Sequence, residues 1–123
     1  MLPDFDGFEG PILDLEVIEG LRELGGEEEP GLVLELIEIF LDDAPKHLDA
    51  MTRALEEQNF EVMMRSAHTL KSASANMGVM LLNQVCKNME AAARDDDLES
   101  CGSMVRLCRT AYVNSEQALR SLQ

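Results

Sequence analysis

The amino-acid sequence predicts an all-α fold: an antiparallel four-helix bundle with one or two additional short N-terminal helices. Apolar residues recur at intervals of three and four along most of the chain, as they do on the buried face of a helix. Aromatic residues make up only 4% of the 123 residues while Met occurs eight times, so the core must be mostly aliphatic. The connectors between the periodic segments are short, which makes consecutive helices antiparallel neighbours.

The N-terminal part of the chain is predicted to lead into a single domain. Residues 1–11 contain two prolines and two glycines and are expected to be irregular, and the domain is expected to span residues 12–123. A short helix is predicted over residues 12–24, where apolar residues recur every third position until a glycine pair ends the pattern. An acidic connector at residues 27–29 then precedes the second helix.

The second helix is predicted to run from Leu32 to about Gln58. Pro45 interrupts its pattern and has no backbone N–H to donate. We therefore expect the helix to kink or split at this residue.

The remaining sequence predicts three more helices, over residues 60–77, 79–92 and 98–119. Asn59 is a favourable N-cap for the first of them. Gly78 suits the left-handed conformation that ends many helices. The acidic run at residues 95–97 breaks the pattern and can cap the last helix.

Composition excludes several classes of partner. A net charge of −14 argues against nucleic acid, whose phosphates would be repelled. No stretch approaches the roughly 18 apolar residues of a membrane span, and no signal-peptide pattern is visible.

The three cysteines, Cys86, Cys101 and Cys108, are predicted to pack in the core without disulfides. This prediction favours a reducing cytoplasm. No metal or cofactor is predicted, and we expect a monomer.

One helix of the predicted bundle carries a pattern that points to chemistry. On a helical wheel of about 100° per residue, one face collects apolar and small residues: Phe60, Met63, Ala67, Leu70, Ser74 and Met77. His68 lies roughly 130° from the centre of this face and should point to solvent. Its neighbours on the wheel are Glu61, Met64, Arg65, Lys71, Ser72 and Ala75.

An exposed imidazole of this kind can act as a nucleophile on phosphorus. Lys71, one turn after His68, can reach the phosphoryl oxygens and offset their charge. The small Ser72 and Ala75 would allow a partner's backbone to approach the ring closely. Spacing alone also permits an incidental surface histidine beside an incidental lysine.

The segment His68-Thr-Leu-Lys71-Ser-Ala-Ser-Ala-Asn-Met-Gly78 resembles the signature of histidine phosphotransfer (Hpt) domains. That signature is H-x-L-K, followed by small residues and a glycine ten positions after the histidine. The segments at residues 23–26, 40–45 and 98–119 also resemble the corresponding parts of the family. The similarity covers residues 12–121 and includes one departure, since Ser72 stands where the family most often has glycine.

The resemblance implies a free-standing phosphorelay protein in which His68 is phosphorylated, Lys71 is the supporting cation and Gly78 closes the helix. It implies transfer from a receiver-domain aspartate or a histidine kinase to another receiver, so the partners would be response-regulator receivers and possibly a hybrid histidine kinase. The chain would not be an enzyme in the usual sense. We expect docking on the surface around His68, which includes Met64, Arg65, Ser72 and Ala75.

Three alternatives stay open. The chain could be a phosphoacceptor domain cut from a hybrid sensor kinase, although Met1 and the complete set of helices favour a free-standing protein. It could be an interaction module whose His68 is never phosphorylated. It could be a hydrolase with His68 as nucleophile, which is disfavoured because no second histidine or acid can be placed beside the ring.

The other histidine, His47, has no lysine three residues later and is expected at the surface or its boundary.

Overall fold

The computed structural model of the protein describes Phe8 and residues 10–123. Within this part the chain forms five helices, α1 Leu15–Gly25, α2 Leu32–Glu56, α3 Phe60–Asn76, α4 Met80–Arg94 and α5 Leu98–Arg120. In the bundle, α3 packs against α2 and α4, and α5 packs against α4 and α2. Helix α1 packs against α2. The predicted antiparallel four-helix bundle with an additional N-terminal helix is confirmed. The predicted lead-in lies mostly outside the described residues.

The core consists mainly of aliphatic, methionine and cysteine side chains from the four bundle helices, with two aromatic side chains, Phe40 and Tyr112. Three methionines, Met51, Met63 and Met89, are fully buried, as expected for a core with few aromatic rings. The three cysteines are buried and unpaired, which agrees with the packing role predicted for them. No helix in the described part of the chain is long and apolar enough to cross a membrane.

Two helix starts follow the predicted capping residues. The Asn59 side chain accepts a hydrogen bond from the Val62 N–H at 3.2 Å at the start of α3. Asp97 accepts one from the Ser100 N–H at 3.1 Å at the start of α5. Each cap satisfies a backbone donor that has no partner within the helix.

The first helix begins at Leu15, three residues later than predicted. The Asp14 N–H donates to the Gly78 carbonyl at 2.7 Å, and the Ile12 carbonyl accepts from the Met80 N–H at 2.8 Å. The residues before α1 are therefore extended along the α3–α4 turn. Apolar spacing did not reveal this, because Leu13 is buried although it lies outside the every-third-residue pattern, whereas Leu15 within that pattern is exposed.

Gly78 occupies this turn with a positive φ of 70°. A Cβ at Gly78 would lie 2.8 Å from the Asp14 carbonyl oxygen and 2.9 Å from Val17 Cβ. Backbone strain and a close approach of two chain segments both require glycine here.

We therefore expect Gly78→Ala to lower the free energy of unfolding by about 1–3 kcal/mol or more. Gly20→Ala is the matched control, since a Cβ at this helical glycine meets nothing within 4 Å. That change should leave stability unchanged or raise it by about 0.5–1 kcal/mol. Urea denaturation measures both variants, and equal effects would contradict the proposed constraint at Gly78.

Helix α2 continues through Pro45, so the split considered from the sequence does not occur. Pro45 cannot donate to the Leu41 carbonyl one turn earlier. The Tyr112 hydroxyl of α5 donates to that carbonyl instead, at 3.0 Å. The hydrogen bond missing from α2 is thus replaced by one that joins α2 to α5.

We expect Tyr112→Phe to lower the free energy of unfolding by about 1–3 kcal/mol, because it leaves the buried Leu41 carbonyl without a partner. In a Pro45→Ala background the cost should be smaller, since alanine restores a backbone donor one turn away. A double-mutant cycle in urea measures the difference. The same cost in both backgrounds would show that Pro45 and Tyr112 are not coupled through Leu41.

Candidate functional site

Helix α3 turns its predicted apolar face into the bundle and presents His68 on the other side. Met63, Ala67, Leu70 and Ser74 are buried, whereas the His68 side chain is 62% exposed. The prediction that His68 points to solvent is confirmed. The ring stands midway along α3, so a partner can approach it from outside the bundle.

The imidazole contacts an acidic side chain from the neighbouring helix. His68 Nδ1 lies 2.6 Å from Glu90 Oε2, although the two residues are 22 positions apart in sequence. The Glu90 side chain is only 9% exposed. The close packing of α3 on α4 thus anchors one edge of an otherwise exposed ring.

The second oxygen of the same carboxylate faces two cations. Lys71 Nζ donates to Glu90 Oε1 at 2.7 Å, and Arg94 Nη2 lies 3.8 Å from that oxygen. The Lys71 side chain is 27% exposed, so its ammonium group is reached from solvent only in part. Lys71 is therefore close to His68 as predicted, but Glu90 links the two residues.

The contacts of Glu90 fix its charge state. The hydrogen bond from Lys71 lowers the pKa of the Glu90 carboxyl group below its usual value, burial opposes this, and the hydrogen bond with His68 lowers the pKa further. At neutral pH the carboxylate is ionised and can only accept hydrogen bonds. His68 Nδ1 must therefore donate, and the neutral ring carries its lone pair on Nε2.

His68 lies in a shallow, open depression with a volume of about 580 Å³. The other residues that line it are Glu61, Met64, Arg65, Lys71, Glu90 and Arg94. Arg65 is bonded to Glu61 at 2.7 Å, so both carboxylates of the depression have a cationic neighbour. Two of the predicted docking residues, Met64 and Arg65, are thereby grouped with the imidazole.

The other two predicted docking residues lie beside the depression rather than in its lining. Ser72 and Ala75 are exposed, one and two turns after His68 on α3. Residues at these spacings share one face of a helix. A partner that covers His68 along the axis of α3 would also meet these two small side chains.

His47 has a different environment. Its Nε2 atom lies 3.0 Å from Asp43 Oδ2, one turn earlier in α2, and its side chain is 25% exposed. This is the boundary position predicted for it. Its interaction is local to one helix, whereas the contacts of His68 join two.

Sequence reasoning missed Glu90, and the structure corrects one inference made without it. The hydrolase alternative was disfavoured because no acid could be placed beside the ring, and that reason is wrong. A signal for Glu90 was present, because it stands four residues after Cys86 and three before Ala93 in the buried stripe of α4. A charged residue at an apolar position needs a partner, but periodicity cannot say that the partner is on α3.

Comparison with known proteins gives consistent matches. The sequence model of the Hpt domain family matches residues 35–120, more than half of the chain. Histidine-containing phosphotransfer protein 1 of Arabidopsis thaliana is 22% identical over 113 residues, which cover 90% of this chain and 73% of the relative.

Two solved structures extend the likeness to the fold. Histidine-containing phosphotransfer protein B of Pseudomonas aeruginosa PAO1 superposes with a TM-score of 0.82 and 26% identity, covering 92% of this chain and 95% of the other. A histidine-containing phosphotransfer protein of Medicago truncatula gives a TM-score of 0.79 and 30% identity, covering 91% of this chain and 79% of the other.

Proposed function

This chain belongs to the Hpt domain family and is a histidine phosphotransfer protein. We propose that it carries the phosphoryl group on Nε2 of His68. One observation supports this assignment above the others. The exposed ring donates from Nδ1 to the buried Glu90 carboxylate at 2.6 Å, so the lone pair is on Nε2 at the opposite edge of the ring. That edge is available to a partner that covers the depression.

The reaction needs a donor with an activated phosphoryl group, and we infer that an aspartyl phosphate of a receiver domain supplies it. Nε2 forms a bond to phosphorus while the bond from phosphorus to the aspartate oxygen breaks, and its electron pair leaves with the aspartate carboxylate. Arg65, Lys71 and Arg94 line the same depression and can offset the phosphoryl charge. We expect the metal ion that assists this chemistry to be bound by the partner.

We infer that the chain is an intermediate of a phosphorelay and has no independent catalytic site. Phosphohistidine can return its phosphoryl group to an aspartate, so receivers can act as donors and acceptors, and a hybrid histidine kinase can be a further donor. We propose that residues 12–123 form one domain that works as a free-standing monomer. Three buried, unpaired cysteines support a reducing compartment such as the cytoplasm.

Incubation with a receiver domain labelled with phosphorus-32 on its aspartate separates this proposal from its rivals. Label that accumulates on the protein supports phosphotransfer. Absence of label would favour an interaction module. Rapid release of inorganic phosphate would favour a hydrolase, for which the acid beside the ring is the specific structural argument.

A further inference from the structure

We propose that Arg65 changes partner when His68 is phosphorylated: its guanidinium group leaves the Glu61 carboxylate and binds the phosphoryl group, and it returns to Glu61 when the phosphoryl group is passed on. This inference rests on the proposed role of His68 as the phosphorylated residue. It deepens that role, because it assigns control over the stability of the phosphohistidine to an exposed ion pair of α3.

Two of the three cations that line the depression face a buried carboxylate. Lys71 Nζ donates to Glu90 Oε1 at 2.7 Å, and Arg94 Nη2 lies 3.8 Å from the same oxygen. The Glu90 side chain is only 9% exposed. Movement of these cations toward a phosphoryl group would leave a buried charge without compensation, which is costly. Lys71 and Arg94 are therefore held in place.

Arg65, the third cation, is bonded to an exposed carboxylate instead. Its Nη2 atom lies 2.7 Å from Glu61 Oε1, and the two side chains are 66% and 75% exposed. An exposed pair of this kind contributes little to stability, because water solvates both groups when they separate. Glu61 also lies in the first turn of α3, where the positive end of the helix dipole stabilises a carboxylate. Arg65 is thus the cation of the depression that can move at the least cost.

The position of Arg65 on α3 suits this exchange. It precedes His68 by three residues, so the two side chains are neighbours on one face of the helix. Side chains on a helix lean toward its N-terminus, which carries the imidazole toward the turn that contains Arg65, and both residues line the same depression. Arg65 makes one hydrogen bond to Glu61, whereas a phosphoryl group carries more negative charge and can accept two parallel N–H donors from a guanidinium group. The phosphoryl group is therefore the stronger partner.

Glu61 then acts as a competing anion. Its carboxylate binds the guanidinium group in the unphosphorylated protein, so phosphorylation has to break that ion pair. The ion pair forms again after the phosphoryl group has passed to a receiver, which offsets part of the interaction that is lost. The pair therefore influences how far the transfer equilibrium lies toward phosphohistidine.

The equilibrium of transfer between a phosphorylated receiver and this protein tests the exchange. Its constant compares only the free proteins before and after transfer, so a change in docking affinity alone does not alter it. We expect Glu61→Gln to shift the equilibrium toward phosphohistidine by about two- to fivefold, the factor that an exposed ion pair contributes. Arg65→Gln should shift it toward the receiver on the order of fivefold.

Glu116→Gln is the matched control for Glu61→Gln. It makes the same change in charge and also breaks an ion pair across one helical turn, that of Glu116 with Arg120 at 3.0 Å, but on α5. This variant should leave the equilibrium unchanged. Equal shifts in the two Glu→Gln variants would show an effect of net charge alone and would overturn the proposal.

A double-mutant cycle separates partner exchange from simple repulsion between Glu61 and the phosphoryl group. In the Arg65→Gln background, Glu61→Gln should shift the equilibrium much less than in the wild type, because its effect passes through Arg65. Repulsion alone predicts an equal or larger shift in that background, since no cation then shields the carboxylate. Such a result would overturn the proposal, as would the absence of a shift toward phosphohistidine in Glu61→Gln alone.

Nitrogen-15 and carbon-13 NMR observe the exchange directly in the wild-type protein. Phosphoramidate, a small donor that needs no docking surface, phosphorylates the protein for this measurement. We expect the resonances of Arg65 Nε and of the Glu61 carboxyl carbon to move on phosphorylation, because both groups change partner, while those of the control pair on α5 stay. Unmoved resonances of Arg65 and Glu61 in protein phosphorylated on His68 would refute the inference. Failure of the underlying function is distinct, because then a phosphorylated receiver would leave His68 of the wild-type protein unlabelled.

Discussion

His68→Ala should abolish phosphoryl transfer to this protein while the bundle stays folded. The replaced ring is the proposed nucleophile, and alanine offers no atom that can bond to phosphorus. The loss of structure should be small, because the His68 side chain is 62% exposed and surface substitutions usually change stability by less than about 0.5 kcal/mol. Glu90 retains Lys71 as a partner at 2.7 Å, so no buried charge is left alone. The label retained after incubation with a phosphorylated receiver measures transfer. Circular dichroism measures whether the helices remain folded.

His47→Ala is the matched control for this experiment. It also removes one imidazole that contacts a carboxylate, at 3.0 Å, but the ring is on α2 and its partner Asp43 is on the same helix. This variant should be labelled as fast as the wild type. Label that persists in His68→Ala and vanishes in His47→Ala would move the phosphorylation site to α2.

Ala75→Trp should block transfer from a receiver while leaving His68 chemically reactive. A receiver must bring its aspartate to the ring with water largely excluded. Ala75 is exposed two turns beyond His68, and an indole there would hold the two surfaces apart. We expect transfer from the receiver to fall by more than about tenfold, which requires the loss of only 1.4 kcal/mol of transition-state stabilisation. Phosphorylation by phosphoramidate should be nearly unchanged.

The control for Ala75→Trp changes the strongly acidic part of the chain instead. Residues 1–61 hold 18 acidic and 3 basic residues, and residues 27–29 form an exposed acidic connector between α1 and α2. Replacing its three glutamates with glutamine should alter only the encounter rate, in a manner that depends on salt. Normal transfer in Ala75→Trp with lost transfer in the triple variant would place the docking surface at this connector.

The sequence predicted those parts of the fold and site that depend on local periodicity. Spacing along α3 predicted both the buried side chains and the exposure of His68, because residues three and four apart share one face of a helix. Asn59 and Asp97 could be predicted as caps, since their side chains bond to backbone groups only three residues away. The short connectors then left few arrangements other than an antiparallel bundle.

The features that sequence reasoning missed depend on contacts between distant segments. The contact of Glu90 with His68 depends on the register of α4 against α3. The apolar periodicity of neither helix contains information about that register. The hydrogen bond from Tyr112 to Leu41 links residues 71 positions apart. It gives the Leu41 carbonyl a donor that Pro45 cannot supply, in a helix for which Pro45 alone predicted a kink or a split. In each case the sequence indicates a polar group that requires a hydrogen-bond partner, namely the Glu90 carboxylate and the Leu41 carbonyl. Only the packed structure identifies the partner.

Passage of a labelled phosphoryl group between two receivers tests the proposed role of His68 most directly. The protein is labelled by one phosphorylated receiver, separated from it, mapped for the modified residue, and then mixed with a second receiver. We expect all label on His68 after the first step and on the aspartate of the second receiver after the last. Label on any other residue, or its recovery only as inorganic phosphate, would contradict a phosphotransfer role for His68.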